Sequence, residues 1–129
     1  MSKQIRVQVR RIYDAPSADD GTRVLVDRLW PRGVSKARAH LDEWCKQIAP
    51  STELREWYHH DPALFDEFTR RYTEELRAPE PAATLAHLRE LAEQQALTLL
   101  TGTKNPDLSE AAVLARLLSD NNSQKGSES

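Results

Sequence analysis

The chain has 129 residues, a length that commonly folds as one domain with its own hydrophobic core. Its 18 Lys and Arg residues against 20 Asp and Glu residues give a formal net charge of -2, so bulk electrostatics offer no general attraction to nucleic-acid phosphates. The single cysteine, Cys45, excludes an internal disulfide and a cysteine-based zinc motif. With no apolar leader and no run of about 18 apolar residues in view, we expect a cytoplasmic protein that does not span a membrane.

The first third of the chain predicts strands. Ile5, Val7 and Val9 alternate with polar residues, which indicates a half-buried strand near the edge of a sheet. The continuous apolar run within Arg23–Val26 indicates a central strand that is buried on both faces. Residues Leu41–Ile48 fit either a short strand or a short helix, and we choose the strand.

The middle of the chain predicts helices. Ser51 is placed to cap one helix, and Asp61 followed by Pro62 is a typical start for the next, whose apolar stripe continues to Leu76. A further amphipathic helix is predicted to end near Gln95.

The last part returns to a strand and ends in a helix. Leu97–Leu100 reads as a buried strand, and Thr101–Pro106 reads as a loop. Asp107 with Glu110 three residues later predicts a capping box at the start of the final helix. Residues 119–129 contain nothing apolar, so we expect a disordered tail.

Strands that alternate with helices predict an α/β fold. We expect residues 1–118 to form a single-domain three-layer sandwich, with a small, mostly parallel sheet flanked by helices. Ligands of such sheets usually bind beyond the carboxyl ends of the strands.

Two loops follow predicted strands at that end, Asp27–Gly33 and Thr101–Asn105. Arginine forks clamp carboxylates and phosphates, an indole can stack on a planar group, and free backbone N–H groups near a helix start form an anion cradle. The candidate ligand-binding residues are Arg28, Trp30, Arg32, Gly33, Lys36 and Lys104. Asp27 is the candidate catalytic residue, as a proton acceptor or an orienting carboxylate.

These two loops together predict a pocket for a small anionic or nucleotide-like ligand. The competing interpretation is that the same residues only pack or form surface ion pairs. No motif of the common hydrolases, nucleotide triphosphatases or dinucleotide enzymes is present, and Cys45 has no base near it in sequence, so an inert thiol is expected.

Two alternatives remain open. Adjacent His60 and His59 at a helix junction suggest a metal or haem ligand, although no other histidine lies at a spacing that would complete a zinc site. The aromatic residues Trp30, Trp57 and Tyr58 suggest a surface for binding a partner protein.

The blocks Val26–Gly33 (VDRLWPRG) and Ala49–Trp57 (APSTELREW), followed by His60-Asp61-Pro62, resemble the YeaO-like branch of the family called domain of unknown function 488, and the resemblance covers about residues 5 to 118. It implies a small α/β bacterial protein with no assigned reaction. The positions that it marks are Asp27, Arg28, Trp30, Pro31, Arg32, Gly33, Lys36, Trp44, His60, Asp61, Pro62 and Lys104.

The chain departs from this pattern in the last loop. The branch typically carries a Tyr at the strand end and then a Lys-Asp pair, whereas this chain has Thr101 and Lys104-Asn105. Other branches of the family carry a Cys here, where this chain has Gly102 and Thr103. The resemblance therefore implies no thiol chemistry.

Overall fold

The computed structural model describes the backbone of residues 6–128 and the side chains of residues 6–119. The strands are β1 Val7–Arg11, β2 Thr22–Leu25, β3 Glu43–Trp44 and β4 Leu97–Thr101. The α-helices are α1 Lys36–Ala39, α2 Thr52–Tyr58, α3 Phe65–Glu75, α4 Pro79–Gln94 and α5 Glu110–Glu128.

The four strands form one sheet in the order β1-β4-β2-β3, and every pairing is parallel. Val24 of β2 lies beside Leu99 of β4, which in turn lies beside Val9 of β1. The predicted edge position of β1 and central position of β2 are both confirmed. The continuous apolar runs of β2 and β4 follow from this order, because a central parallel strand is covered on both faces.

Helices cover both faces of this sheet. Val24 and Leu99 belong to the larger core, which α2, α3, α4 and α5 cover. Leu25 and Leu100 point to the opposite face and pack with Ala39 of α1. The predicted α/β sandwich is therefore confirmed. Among the described residues, no helix is both long enough and apolar enough to cross a membrane.

The caps predicted for the middle helices are present. Ser51 Oγ accepts the N–H of Leu54 at 3.1 Å and so caps α2. Asp61 accepts the N–H of Ala63 at 3.0 Å, and it opens a single 3-10 turn, Pro62–Leu64, that leads directly into α3.

The capping box predicted for Asp107 and Glu110 is wrong. A 3-10 turn occupies Pro106–Leu108, and Ser109 then caps α5 by accepting the N–H of Ala112 at 3.3 Å. Glu110 is therefore the first residue of α5, and its side chain is free of a capping role. That freedom matters for the site described below.

The strand predicted over residues 41–48 is right only at its centre. β3 has two residues, and a 3-10 turn Lys46–Ile48 follows it, because the apolar residues there turn inward toward the larger core. The predicted disordered tail, residues 119–129, lies outside the residues whose side chains are described, apart from Ser119. It stays a prediction.

Candidate functional site

A cavity of about 360 Å³ lies beyond the carboxyl ends of β2 and β4, between the last turn of α2 and the first turn of α5. We call it the strand-end pocket. Its charged and hydroxyl-bearing lining residues are Asp27, Arg28, Arg55, Glu56, His59, His60, Thr103 and Glu110. The volume falls within the range of small-molecule sites, which span about 300 to 1,000 Å³.

One hydrogen bond joins the two loops that the sequence places at this end. The N–H of Gly102 donates to Asp27 Oδ2 at 2.8 Å. A Cβ at position 102 would lie 3.0 Å from the Cβ of Pro31, so a side chain there would press against the first loop. The two loops therefore form one structural unit.

Two backbone N–H groups of the last loop are already occupied. Asp27 takes the N–H of Gly102, and the hydroxyl of Thr101 accepts the N–H of Thr103 at 3.2 Å. The carboxylate of Asp27 thus stands where the sequence predicts a bound anion. These N–H groups are not available to a ligand.

Asp27 and Glu110 form a carboxyl pair at the floor of the pocket. Burial, together with the hydrogen bond and the negative charge of Asp27, raises the pKa of Glu110 well above its ordinary value, while the backbone N–H of Glu110 and the charge of Arg55 partly oppose the rise. Asp27 Oδ1 is buried and has no hydrogen-bond donor among the described residues. The raised pKa of Glu110 favours a proton on Glu110, which can then be donated to Asp27.

Arg28 holds the first loop against the segment before α2. Its Nη2 donates to the carbonyl oxygens of Ala49 at 3.3 Å and Pro50 at 3.1 Å. Its Nε is buried and has no partner among the described residues. Arg28 thus brings a positive charge to the pocket wall in a fixed position.

The last turn of α2 and the two residues that follow it form the outer wall of the strand-end pocket. Arg55, Glu56, His59 and His60 are exposed to solvent and line the cavity. His59 and His60 both have left-handed backbones, with φ of 49° and 55°. Two consecutive non-glycine residues in this region carry a conformational cost of roughly 1–2 kcal/mol each.

Most of the loop after Arg28 points away from the pocket. Trp30 donates its indole N–H to the Val34 carbonyl at 2.6 Å and packs edge-on against Trp44, with ring centroids 5.4 Å apart. Both tryptophans pack against the smaller core on the opposite face of the sheet. Trp30 therefore packs on that face and not in the strand-end pocket.

Four further candidates also lie away from the cavity lining, namely Arg32, Gly33, Lys36 and Lys104. All four are exposed. Gly33 forms a turn with φ of 76°, and its missing Cβ would meet no heavy atom within 4 Å. Of the residues predicted to bind a ligand, Arg28 alone is brought to the described pocket, where it joins Asp27.

Sequence reasoning missed Arg55, Glu56 and Glu110. A signal was available for Arg55, which lies four residues before His59 and therefore on the same face of α2. Glu110 was assigned to a capping box, although Ser109 immediately before it is an equally good cap residue.

The structure gives little support to a metal or to a reactive thiol. Among the described residues, no group of three or more His, Cys, Asp or Glu side chains is placed to hold a metal ion. His59 and His60 adjoin the charged Arg55 and Glu56, which is not the apolar slot that a haem needs. Burial, with a smaller effect of Glu43, raises the pKa of Cys45 to about 12, so its thiol is inert.

The three aromatic residues expected at a partner surface are each at least partly covered within the chain, and the partner surface itself stays a prediction. Tyr58 is only 3% exposed and donates its hydroxyl to the Leu108 carbonyl at 2.8 Å. The ring of Trp57 is covered by the guanidinium of Arg71, which lies 4.2 Å from the ring centroid. Trp30 packs against the smaller core.

The fold and the pocket define a parallel α/β domain with a ligand-sized cavity at its strand ends. Residues 6–129 match the family described as the inactive DUF488-N3 subclade, and the chain belongs to this family. It is 51% identical to the uncharacterized protein Rv3073c of Mycobacterium tuberculosis over 118 residues, which are 92% of this chain and 98% of that protein. It is 43% identical to the uncharacterized protein YeaO of Escherichia coli over 111 residues, or 86% and 95% of the two chains. No solved structure matches the chain.

Proposed function

We propose that this chain binds a small anionic, nucleotide-like ligand in the strand-end pocket and releases it unchanged. The observation that carries the proposal is the pocket itself, a cavity of about 360 Å³ with the guanidiniums of Arg28 and Arg55 on its walls. Arginine is the side chain best suited to hold a carboxylate or phosphate with paired hydrogen bonds.

The charges of the pocket support an anionic ligand. Arg28 and Arg55 are positive, and Asp27 and Glu56 balance them. Because the pKa of Glu110 is raised, Glu110 adds no further negative charge to this balance. The anionic group of a ligand therefore belongs on the Arg55 side of the cavity, away from Asp27.

The backbone of α2's last turn gives a second line of support. His59 and His60 hold left-handed conformations that cost stability, and both line the cavity. Strained residues of this kind concentrate at binding sites, where the surrounding structure maintains the strain. In the proposal, these two imidazoles flank the anionic group of the ligand.

The hydrogen bonding of Asp27 agrees with a ligand that is bound but not chemically changed. A general base needs a free carboxylate oxygen within reach of the substrate, but Oδ2 accepts the N–H of Gly102 and Oδ1 is buried against Glu110. Gly102 and Thr103 offer no thiol nucleophile in the last loop. The description of the family as an inactive subclade points the same way. In this proposal Asp27 is a positioning residue, and the protein works in the cytoplasm.

The proposal is tested by calorimetric titration with inorganic phosphate, ribose 5-phosphate and adenosine 5′-monophosphate. Arg55→Gln should weaken binding of the phosphate-bearing probes by about tenfold or more, the loss expected for a charged hydrogen bond. Arg32→Gln and Lys104→Gln are matched controls, because they remove the same charge from exposed positions outside the cavity lining. Equal losses in all three variants, or conversion of a bound probe detected by mass spectrometry, would contradict the proposal.

A further inference from the structure

The carboxyl group of Glu110 is held in one orientation by Asp27. Glu110 is the first residue of α5, and its carboxyl hydrogen bonds to Asp27, which is itself anchored by the N–H of Gly102. The anchor, the pair and the cavity are therefore one connected arrangement. A side chain fixed in this way presents the same atom to every ligand that enters.

The atom that Glu110 presents is an uncharged acceptor. Glu110 lines the cavity, and when one carboxyl oxygen donates a proton to Asp27, the other oxygen keeps lone pairs that can accept a hydrogen bond from a ligand. A neutral carboxyl oxygen accepts a hydrogen bond from a hydroxyl or amide group and does not repel a nearby anion. Arg55, whose positive charge acts on Glu110, lines the same cavity and is placed there to hold the anionic end of the ligand.

Building on the proposed function, we propose that Glu110 selects the ligand by accepting a hydrogen bond from a hydroxyl group that the ligand carries beside its phosphate. The preferred class is then phosphate esters of sugars, either free or as part of a nucleotide. Inorganic phosphate fills the anionic position only and leaves the acceptor of Glu110 without a partner. A site with a buried acceptor discriminates against ligands that cannot satisfy it.

The arrangement also makes binding depend on pH. Ionisation of Glu110 would place a second negative charge beside Asp27, and an anionic ligand would then bind more weakly. The charged and titratable groups that face Glu110 or line its cavity are Asp27, Arg28, Arg55, Glu56, Tyr58, His59, His60 and Tyr72. Because several of these groups titrate, the dependence on Glu110 must be isolated by a variant that keeps the others.

Glu110→Gln and Glu110→Ala separate the two roles of this side chain. The glutamine keeps an N–H donor for Asp27 and a neutral carbonyl for the ligand, whereas the alanine keeps neither. Wild type and Glu110→Gln should bind ribose 5-phosphate about tenfold more tightly than inorganic phosphate. In Glu110→Ala the two affinities should become equal.

The outcomes distinguish this inference from the proposed function. If neither inorganic phosphate, ribose 5-phosphate nor adenosine 5′-monophosphate binds the wild type, the proposed function fails and the inference fails with it. If phosphate binds but Glu110→Ala keeps the preference for ribose 5-phosphate, this inference alone is overturned.

Affinity measured as a function of pH provides a second test, which does not require the Glu110→Ala variant to fold. The affinity of wild type for ribose 5-phosphate, divided by that of Glu110→Gln, should fall as the pH rises. A ratio that stays constant with pH would overturn the inference. Adenosine 5′-monophosphate identifies the source of the sugar phosphate, since a nucleotide site binds it more tightly than ribose 5-phosphate.

Discussion

Replacing Glu110 with Gln should change how the stability of this chain depends on pH. The pKa of Glu110 is raised well above 4.5 in the folded protein by burial and by Asp27. The native state therefore keeps a proton that the unfolded chain has lost. Stability from this group is fully present below about pH 4.5 and is lost as the pH rises toward the folded pKa.

The size of the effect follows from the linkage of protons to folding. One proton bound only by the native state lowers the free energy of unfolding by about 1.4 kcal/mol per pH unit. Between about pH 5 and pH 7, wild type should thus lose at most a few kcal/mol that Glu110→Gln does not lose. For a chain of this length, each 1 kcal/mol corresponds to roughly 3–6 °C in melting temperature.

The assay is urea unfolding followed by tryptophan fluorescence across this pH range. Subtracting the wild-type curve from that of Glu110→Gln removes the contributions of groups that the two proteins share. Glu56→Gln is the matched control, because Glu56 is an exposed carboxylate that lines the same pocket, and its replacement should change stability by less than about 0.5 kcal/mol. Parallel curves for wild type and Glu110→Gln would refute the assignment of the shared proton to Glu110.

Four further substitutions have defined outcomes in urea unfolding. Asp20→Asn removes the partner of Arg23, which is only 5% exposed, and should cost about 3–5 kcal/mol at neutral pH. Burial tends to raise the pKa of Asp20, but hydrogen bonds and nearby arginines outweigh burial and lower it below 3.8, so the difference should shrink as acid protonates this carboxyl. Gly21→Ala places a Cβ 2.1 Å from a backbone oxygen at a φ of 65°, and it should lower the free energy of unfolding by more than about 2 kcal/mol. Gly33→Ala is the control: its φ is 76° but the space is open, so the loss should be only about 1 kcal/mol. His60→Gly removes the side chain from a residue with a left-handed backbone, so the free energy of unfolding should stay the same or rise by up to about 1 kcal/mol. The affinity for ribose 5-phosphate should fall. A large loss of stability would show instead that the imidazole has a structural role.

The sheet was predictable because its signals are local. The continuous apolar run of β4 can be satisfied only by burial on both faces, and this places it in the centre of a parallel sheet. β3 was less predictable, because its two residues pair only with Val24 and Leu25 and carry too short a pattern.

The position of the site could be predicted from the sequence, but most of the residues that form it could not. Asp27 follows the central strand directly, so topology alone brings it to the pocket. The direction of the chain after Arg28 depends on Trp30 packing against Trp44, a contact between residues fourteen positions apart that no local pattern reveals. Lys104 was expected beside free backbone N–H groups, but those of Gly102 and Thr103 already bond to Asp27 and Thr101.

A nitrogen-15 NMR titration of the wild type with ribose 5-phosphate tests the central claim most directly. We expect saturable chemical-shift changes that concentrate on Arg28, on the segment Arg55–His60 at the end of α2, and on Thr103 and Glu110. The same titration of Arg55→Gln should reach saturation only at about tenfold higher concentration. Shifts that concentrate on Arg32–Lys36 and Lys104, or an absence of saturable shifts, would contradict the claim that the strand-end pocket binds a small anionic ligand.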